Sequence, residues 1–196
     1  MVLAGILIVL VLSLTVFWII PQILPKSPLA VSPTIGTIQP TAGYYLPFSG
    51  NISKIFVVSV NVSSGVYPFD TRTSMGTING KTAGKIVVTK GEPCVVINVT
   101  LRNDYSAQNP PPYQLNPDPK YPAQAYVFMT AKIFNGNDEI NSTDLMHLDL
   151  PPDAWSETSL NGGETGTISI YLAVTSHEEI TGFQLIAMWI GGIPLA

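Results

Sequence analysis

Residues 93–102 read PCVVINVTLR, and this stretch decides the fold. Four aliphatic side chains, Val95, Ile97, Val99 and Leu101, alternate with Val96, Asn98, Thr100 and Arg102. An alternation with period two is typical of a strand that buries one face. The stretch therefore predicts a strand, and the preceding IVVT, followed by the turn residues Lys90-Gly91-Glu92-Pro93, predicts a hairpin partner for it.

The same alternation recurs on both sides of this stretch. Residues 52–62 predict a strand with Phe56, Val58, Val60 and Val62 facing a core. Further strands are predicted at 126–134, 166–174 and 182–190. The inward side chains of the first two are Val127, Met129, Ala131, Ile133, Ile168, Ile170, Leu172 and Val174, and one face of the third carries Phe183, Leu185, Ala187 and Trp189. No window of ten or more residues beyond position 20 keeps a helical period. We therefore expect residues 43–196 to form an immunoglobulin-like antiparallel β-sandwich of seven or eight strands.

A long loop is predicted between two of these strands. Residues 103–125 contain six prolines and no strand pattern. Three tyrosines lie in it, Tyr105, Tyr113 and Tyr121. Their rings either pack the loop onto the sandwich or recognise a partner, and the sequence leaves both interpretations open.

The first 20 residues, MVLAGILIVLVLSLTVFWII, carry no charge. A helix of this length spans about 30 Å, the thickness of the hydrocarbon core of a bilayer. A cleavable secretory signal has a basic start and a shorter apolar stretch, whereas here the first ionisable side chain is Lys26. We therefore expect a hydrophobic α-helix over 1–20. Pro21 and Pro25 then form a hinge, and residues 21–42 form an extended, Pro-rich linker.

Composition argues against several classes of function. Charged residues make up 11% of the chain, and the net charge is −4 without a basic cluster, so we expect no nucleic-acid binding. Cys94 is the single cysteine and has no cationic neighbour in the sequence, which indicates a buried, inert thiol. His147 and His177 lie in different segments, and no catalytic motif is present. The sequence predicts a protein that is not an enzyme, with neither cofactor nor metal.

Four Asn-X-Ser/Thr sequons occur, at Asn51, Asn61, Asn98 and Asn141. Asn61 and Asn98 fall on the polar faces of their predicted strands, where a glycan would project into solvent. We therefore predict N-linked glycans at all four positions in protein from the native source.

An uncharged apolar segment followed by a sequon-bearing β domain resembles the archaeal type IV pilin-like class, which includes adhesion pilins and archaellins. The resemblance covers residues 1–20 and the general architecture. It implies that a basic leader is removed, that the chain is inserted in the membrane before assembly, and that it then forms a homopolymer at the cell surface. In such a filament the N-terminal helices pack together in the core, through Leu3, Ile6, Leu7, Leu10, Leu14 and Phe17. Bacterial pilins carry a Glu at position 5, where this chain has Gly5, as archaeal forms commonly do.

Other functions remain open on the sequence alone. One is an anchored envelope protein whose sandwich binds an S-layer protein or a membrane complex. Another is the accessory subunit of a respiratory or transport complex. A third is a filament held by donor strands, in which the linker of one subunit completes the sandwich of a neighbour by β-augmentation. A filament subunit forms long polymers on its own, whereas an anchored protein stays small in detergent.

Overall fold

The computed structural model describes residues 30–39, 41–68, 72–78, 81–88, 90–114, 119–140, 142–144 and 157–193. Within these residues the chain forms thirteen strands. They are β1 (Thr34–Ile35), β2 (Tyr44–Phe48), β3 (Asn51–Val66), β4 (Arg72–Ile78), β5 (Lys81–Val88), β6 (Pro93–Asn103), β7 (Ala125–Asn135), β8 (Asp138–Glu139), β9 (Ser142–Asp144), β10 (Glu157–Leu160), β11 (Thr165–Val174), β12 (Glu179–Ile180) and β13 (Gly182–Gly191).

Two antiparallel sheets carry most of these strands. The five-stranded sheet has the order β2-β3-β6-β11-β9. The four-stranded sheet has the order β10-β7-β13, and β8 pairs with the end of β7. β4 and β5 form a separate antiparallel pair, whereas β1 pairs with β12 in parallel. β6 therefore lies at the centre of one sheet and β7 at the centre of the other.

One hydrophobic core lies between the two sheets, and both sheets contribute to it. The inward faces predicted for β6, β7 and β11 are confirmed: every aliphatic or Met side chain predicted there is at most 6% exposed. Because these three strands keep one uninterrupted alternation, the period in the sequence is the period in the sheet. The alternation predicted from the sequence thus builds the centre of the sandwich.

Two predicted inward faces are wrong in part because each strand contains a bulge. In β3 the pairing with β6 shifts between Val57 and Ser59, so that Val58 is an extra residue and its side chain is exposed. Ile55 and Val57 face the core before the bulge, where Phe56 had been predicted to do so. A bulge exchanges the two faces of a strand beyond it.

β13 shows the same effect. Its pairing with β7 shifts between Ala187 and Trp189, and Ile190, rather than Trp189, is then fully buried. Met188 is the extra residue and is exposed. The bulge turns the indole of Trp189 away from the core, where it becomes part of the site described below.

The predicted hairpin between residues 86–89 and β6 is also wrong. β5, which includes residues 86–88, pairs with β4, while β6 pairs with β3 on one side and β11 on the other. The turn at Lys90-Gly91 does exist, with Gly91 at a φ of 90° and its amide donating to the carbonyl oxygen of Tyr67. The choice of partner depends on long-range packing, which local alternation does not contain.

The fold class predicted from the sequence is corrected in one respect. The described residues form strands and no helix, so the fold is mainly β rather than a helix followed by a sandwich. The reason is that the described residues contain stretches of period two, separated by turns and loops, and no window with a helical period. The helix predicted over residues 1–20 lies outside the described residues. In the part of the chain that the structure describes, no helix is long and apolar enough to cross a bilayer.

Residues 30–39 lie against the sandwich as an extended segment. The Val31 amide donates to the carbonyl oxygen of Val174, and the Gly36 amide donates to that of Ile180. Val31, Ile35 and Ile38 pack on the main core. Because β11 ends at Val174 and β6 begins at Pro93, Ala30 lies at this end of the sandwich, which we call the linker end.

Candidate functional site

A groove lies at the opposite end of the sandwich, which we call the groove end. It runs between the β2–β3 turn and the Pro-rich loop that follows β6, and its volume is about 290 Å³. Its lining contains aromatic rings, prolines and uncharged polar groups: Phe48, Ser49, Asn51, Ile52, Ser53, Tyr105, Pro110, Pro112 and Tyr113. A groove of this composition suits a neutral ligand with apolar faces.

The buried side chain of Asn103 holds the loop that forms one wall. Its Nδ2 donates to the carbonyl oxygens of Ala123 and Leu160, at 2.8 Å in both cases. Its Oδ1 accepts from the Tyr105 amide at 2.9 Å. Asn103 is fully buried, and these bonds satisfy backbone groups from three separate segments. The path of the loop over the groove end is therefore set from inside the protein.

An aromatic cluster forms the outer rim of the groove. Tyr113 stacks on Trp189, with ring centroids 4.8 Å apart and an interplanar angle of 24°. Phe48 meets both rings edge to face. The Trp189 indole donates to the carbonyl oxygen of Ile193 at 3.0 Å, and a Cβ at Gly191 would lie 2.8 Å from its ring. Trp189 is thus fixed from behind, and Tyr113 remains 52% exposed in front of it.

Backbone strain is concentrated at this groove. Among the described non-glycine residues, positive φ angles occur at Ser49, at 49°, and at Tyr113, at 58°. Both residues line the groove, one on each wall. A bulky residue in the left-handed region is uncommon, and such strain clusters at ligand sites and clamps. The turn and the loop therefore present these side chains at a conformational cost.

A charged network lies beside the groove, on the outer face of the five-stranded sheet. Arg102 donates through Nε to Oδ1 of Asp104 and through a terminal nitrogen to Oδ2, and the Tyr45 hydroxyl also donates to Oδ2. The hydrogen bonds from Arg102 lower the pKa of Asp104 below its ordinary value of 3.8, and the Tyr45 bond adds to this. Arg102 also lies over the ring of Phe56, 4.8 Å from its centroid. The carboxylate is thus already paired and is not available to a ligand as a free charge.

The predicted glycosylation sites lie in different surroundings. Asn51 is exposed at the groove, whereas Asn61 and Asn98 are direct partners across β3 and β6. Asn61 is exposed, but Asn98 is half-buried and its Oδ1 accepts from the Ser169 hydroxyl at 2.7 Å. Asn141 lies outside the described residues. Glycosylation at all four sites stays a prediction, and mass spectrometry of native peptides checks it.

The remaining predicted residues divide between described and undescribed parts. Leu3, Ile6, Leu7, Leu10, Leu14, Phe17, Pro21, Pro25 and His147 lie outside the described residues. His177 is exposed after the end of β11. Cys94 is fully buried, and burial raises the pKa of its thiol to about 11, so the predicted inert thiol has a physical basis. Within the described segments, no cluster of three or more His, Cys, Asp or Glu side chains is placed to hold a metal.

The groove itself was missed by the sequence reasoning. Phe48, Tyr113 and Trp189 are far apart in the chain, and the bulge in β13 brings the third of them to the surface. For the loop tyrosines, including Tyr113, the sequence leaves open whether the ring recognises a partner or packs the loop onto the sandwich. The structure gives the three loop tyrosines different surroundings, since Tyr105 is 8% exposed, Tyr121 is 37% exposed and Tyr113 is 52% exposed.

Comparisons of this chain with protein-family models, curated proteins and solved structures found no match.

Proposed function

We propose that this chain is a structural subunit of an extracellular surface filament of the archaeal type IV pilin-like kind. In this filament the apolar segments of residues 1–20 bury one another along the axis, and the sandwiches lie outside. The observation that carries the proposal is the attachment of residues 30–39 to the sandwich, which places Ala30, the first described residue, at the end opposite the groove. Each subunit therefore has a distinct front and back.

The outer surface of the five-stranded sheet suits this position. Two neighbouring rows across β3, β6 and β11 consist of Ser, Thr and Asn side chains, Ser59–Thr100–Thr167 and Asn61–Asn98–Ser169. This central part of the face is polar but uncharged, in keeping with the 11% of charged residues in the chain. Glycans at Asn61 would extend from it into solvent and limit lateral association between filaments.

The donor-strand version is a second candidate, and one observation favours it. β1 contributes only two residue pairs to its parallel ladder with β12, but Val31, Ile35 and Ile38 pack on the core. A short strand at the end of a Pro-rich linker is a segment that two copies can exchange, as in domain swapping. In that version β1 of one subunit would occupy the same place on its neighbour.

Replacement of Leu10 by Arg tests the filament proposal. A charge without a partner among apolar side chains costs several kcal/mol, so Leu10→Arg should abolish assembly, whereas Leu10→Ile should leave it intact. Sedimentation of polymers after removal of detergent measures the effect. Polymers of normal yield from Leu10→Arg would refute the burial of this segment. A wild-type chain that stays monomeric would instead favour the membrane-anchored alternative.

A further inference from the structure

We propose that the groove at the end of the sandwich binds the Pro-rich segment of residues 21–29 from a second copy of this chain. The proposal rests on the filament function above and specifies the contact between successive subunits. The segment reads PQILPKSPL and contains a Pro-X-X-Pro sequence, Pro25-Lys26-Ser27-Pro28. Segments of this composition favour the polyproline II conformation, which aromatic-lined grooves recognise.

The chemistry of the groove matches this occupant. Tyr113 and Phe48 provide ring surfaces against which proline rings pack, and Asn51 and Ser49 provide polar groups for backbone carbonyls. None of the residues that line the groove is charged at neutral pH, so the prolines of the segment would contact the groove while Lys26, its one ionisable side chain, would stay in solvent. Ile52 is 78% exposed at the rim, and a docked segment would cover it.

The sandwich is too long for the Pro-X-X-Pro sequence of residues 25–28 to reach the groove of its own chain. β6 runs from Pro93 at the linker end to Asn103 at the groove end, a distance of about 33 Å. The chain emerges at Ala30, packed near Cys94, and the five residues back to Pro25 reach at most about 18 Å. Pro25 and Pro28 of the same copy therefore fall short of the groove, and a neighbour has to supply them.

The resulting contact has a polarity. The linker end of one subunit meets the groove end of the next, so the two surfaces in contact are different. Heterologous contacts of this kind build rings when the rotation between subunits closes and open helical polymers when it does not, and the proposed filament needs the second case. The left-handed backbone at Ser49 and Tyr113 then sets the shape of the two walls before the neighbouring segment binds, and the surrounding structure bears its conformational cost.

Disulfide trapping in the full-length chain tests the contact. Ser27→Cys combined with Ile52→Cys should form a ladder of covalent multimers on oxidation, and Ser27→Cys combined with Ser59→Cys is the matched control, since Ser59 lies farther along the same strand and is also exposed. The native Cys94 is fully buried and adds little background.

A second pair of variants adds either Tyr113→Ala or Tyr121→Ala to the chain that carries Ser27→Cys and Ile52→Cys. The loss of an aromatic anchor weakens the affinity of such contacts by about tenfold or more. Tyr113→Ala should therefore suppress the ladder of multimers, and Tyr121→Ala should not.

The outcomes separate the two proposals. A ladder without filaments would support the contact and overturn the filament function. Filaments without a ladder, or a monomer cross-linked to itself, would overturn the contact and leave the filament function standing. A synthetic peptide of residues 21–29 should compete with the ladder. If a soluble oligosaccharide competes and the peptide does not, the groove is a sugar site and the inference is wrong.

Discussion

The two ends of the sandwich are held together in different ways. At the groove end, the buried Asn103 makes three side-chain hydrogen bonds that join the two ends of the Pro-rich loop, at Tyr105 and Ala123, to the end of β10. At the linker end, β1 is attached by two residue pairs to β12 and by flanking backbone bonds at Val31 and Gly36. One end has a buried polar anchor, and the other is held by a short strand at the surface.

This difference fits a subunit whose two ends perform different tasks. A groove that receives a partner gains affinity when its walls are fixed beforehand, because less conformational entropy is lost on binding. In the proposed filament, the strand next to the linker would follow the apolar segment into the assembly, and a weak local attachment would allow this. Changes that disturb each end separately test this contrast.

The largest effect is expected from Asn103→Ala. It removes the partners of Ala123 O, Leu160 O and the Tyr105 amide in a buried position, and each loss costs roughly 1–3 kcal/mol. The free energy of unfolding should fall by about 4 kcal/mol, measured by urea denaturation. Asn109→Ala, at an exposed position in the same loop, should change it little. Equal effects of the two variants would mean that Asn103 does not anchor the loop.

A smaller effect is expected when the linker end is disturbed. A chain that begins at residue 43 lacks β1 and the partly buried side chains of Val31, Ile35 and Ile38, at about 1 kcal/mol each. It should be folded but less stable by about 3 kcal/mol than a chain that begins at residue 30. A peptide of residues 30–41 should restore the difference. Aggregation of the shorter chain, with rescue by the peptide, would favour the donor-strand version.

The smallest effect concerns pH and the network at Asp104. Its pKa is lower in the folded protein than in the unfolded chain, so its stabilising contribution is present above pH 3.8 and is lost as the pH falls through the folded value. The contribution of such a surface pair is at most about 1 kcal/mol. Asp104→Asn should therefore reduce stability at pH 7 and reduce it less at pH 2.5, in thermal unfolding curves. An equal loss of stability at both pH values would mean that the effect of Asp104→Asn comes from packing and not from charge.

The sequence predicted the centre of the sandwich and not its periphery. β6, β7 and β11 alternate without interruption, so their inward side chains follow from period two alone. In β3 and β13, single extra residues at Val58 and Met188 reverse the faces, and no local signal marked either bulge. The pairing of β5 with β4 depends on the competition between strands, which a local pattern does not contain.

The groove could not be predicted for a related reason. Its aromatic cluster combines the end of β2, the Pro-rich loop and the end of β13, which only the folded topology brings together. Its loop wall depends on Asn103, which lies one residue beyond the stretch read as alternating and looks like an ordinary polar residue at the start of a loop. The sequence contains the residues of the site but no spacing that identifies it.

Electron microscopy of the purified full-length protein after removal of detergent tests the central claim most directly. If the chain is a filament subunit, long polymers of uniform diameter should form from this protein alone, with the sandwiches resolved as the outer layer. Small, separate particles at every protein concentration would contradict the account and indicate an anchored protein that requires a different partner.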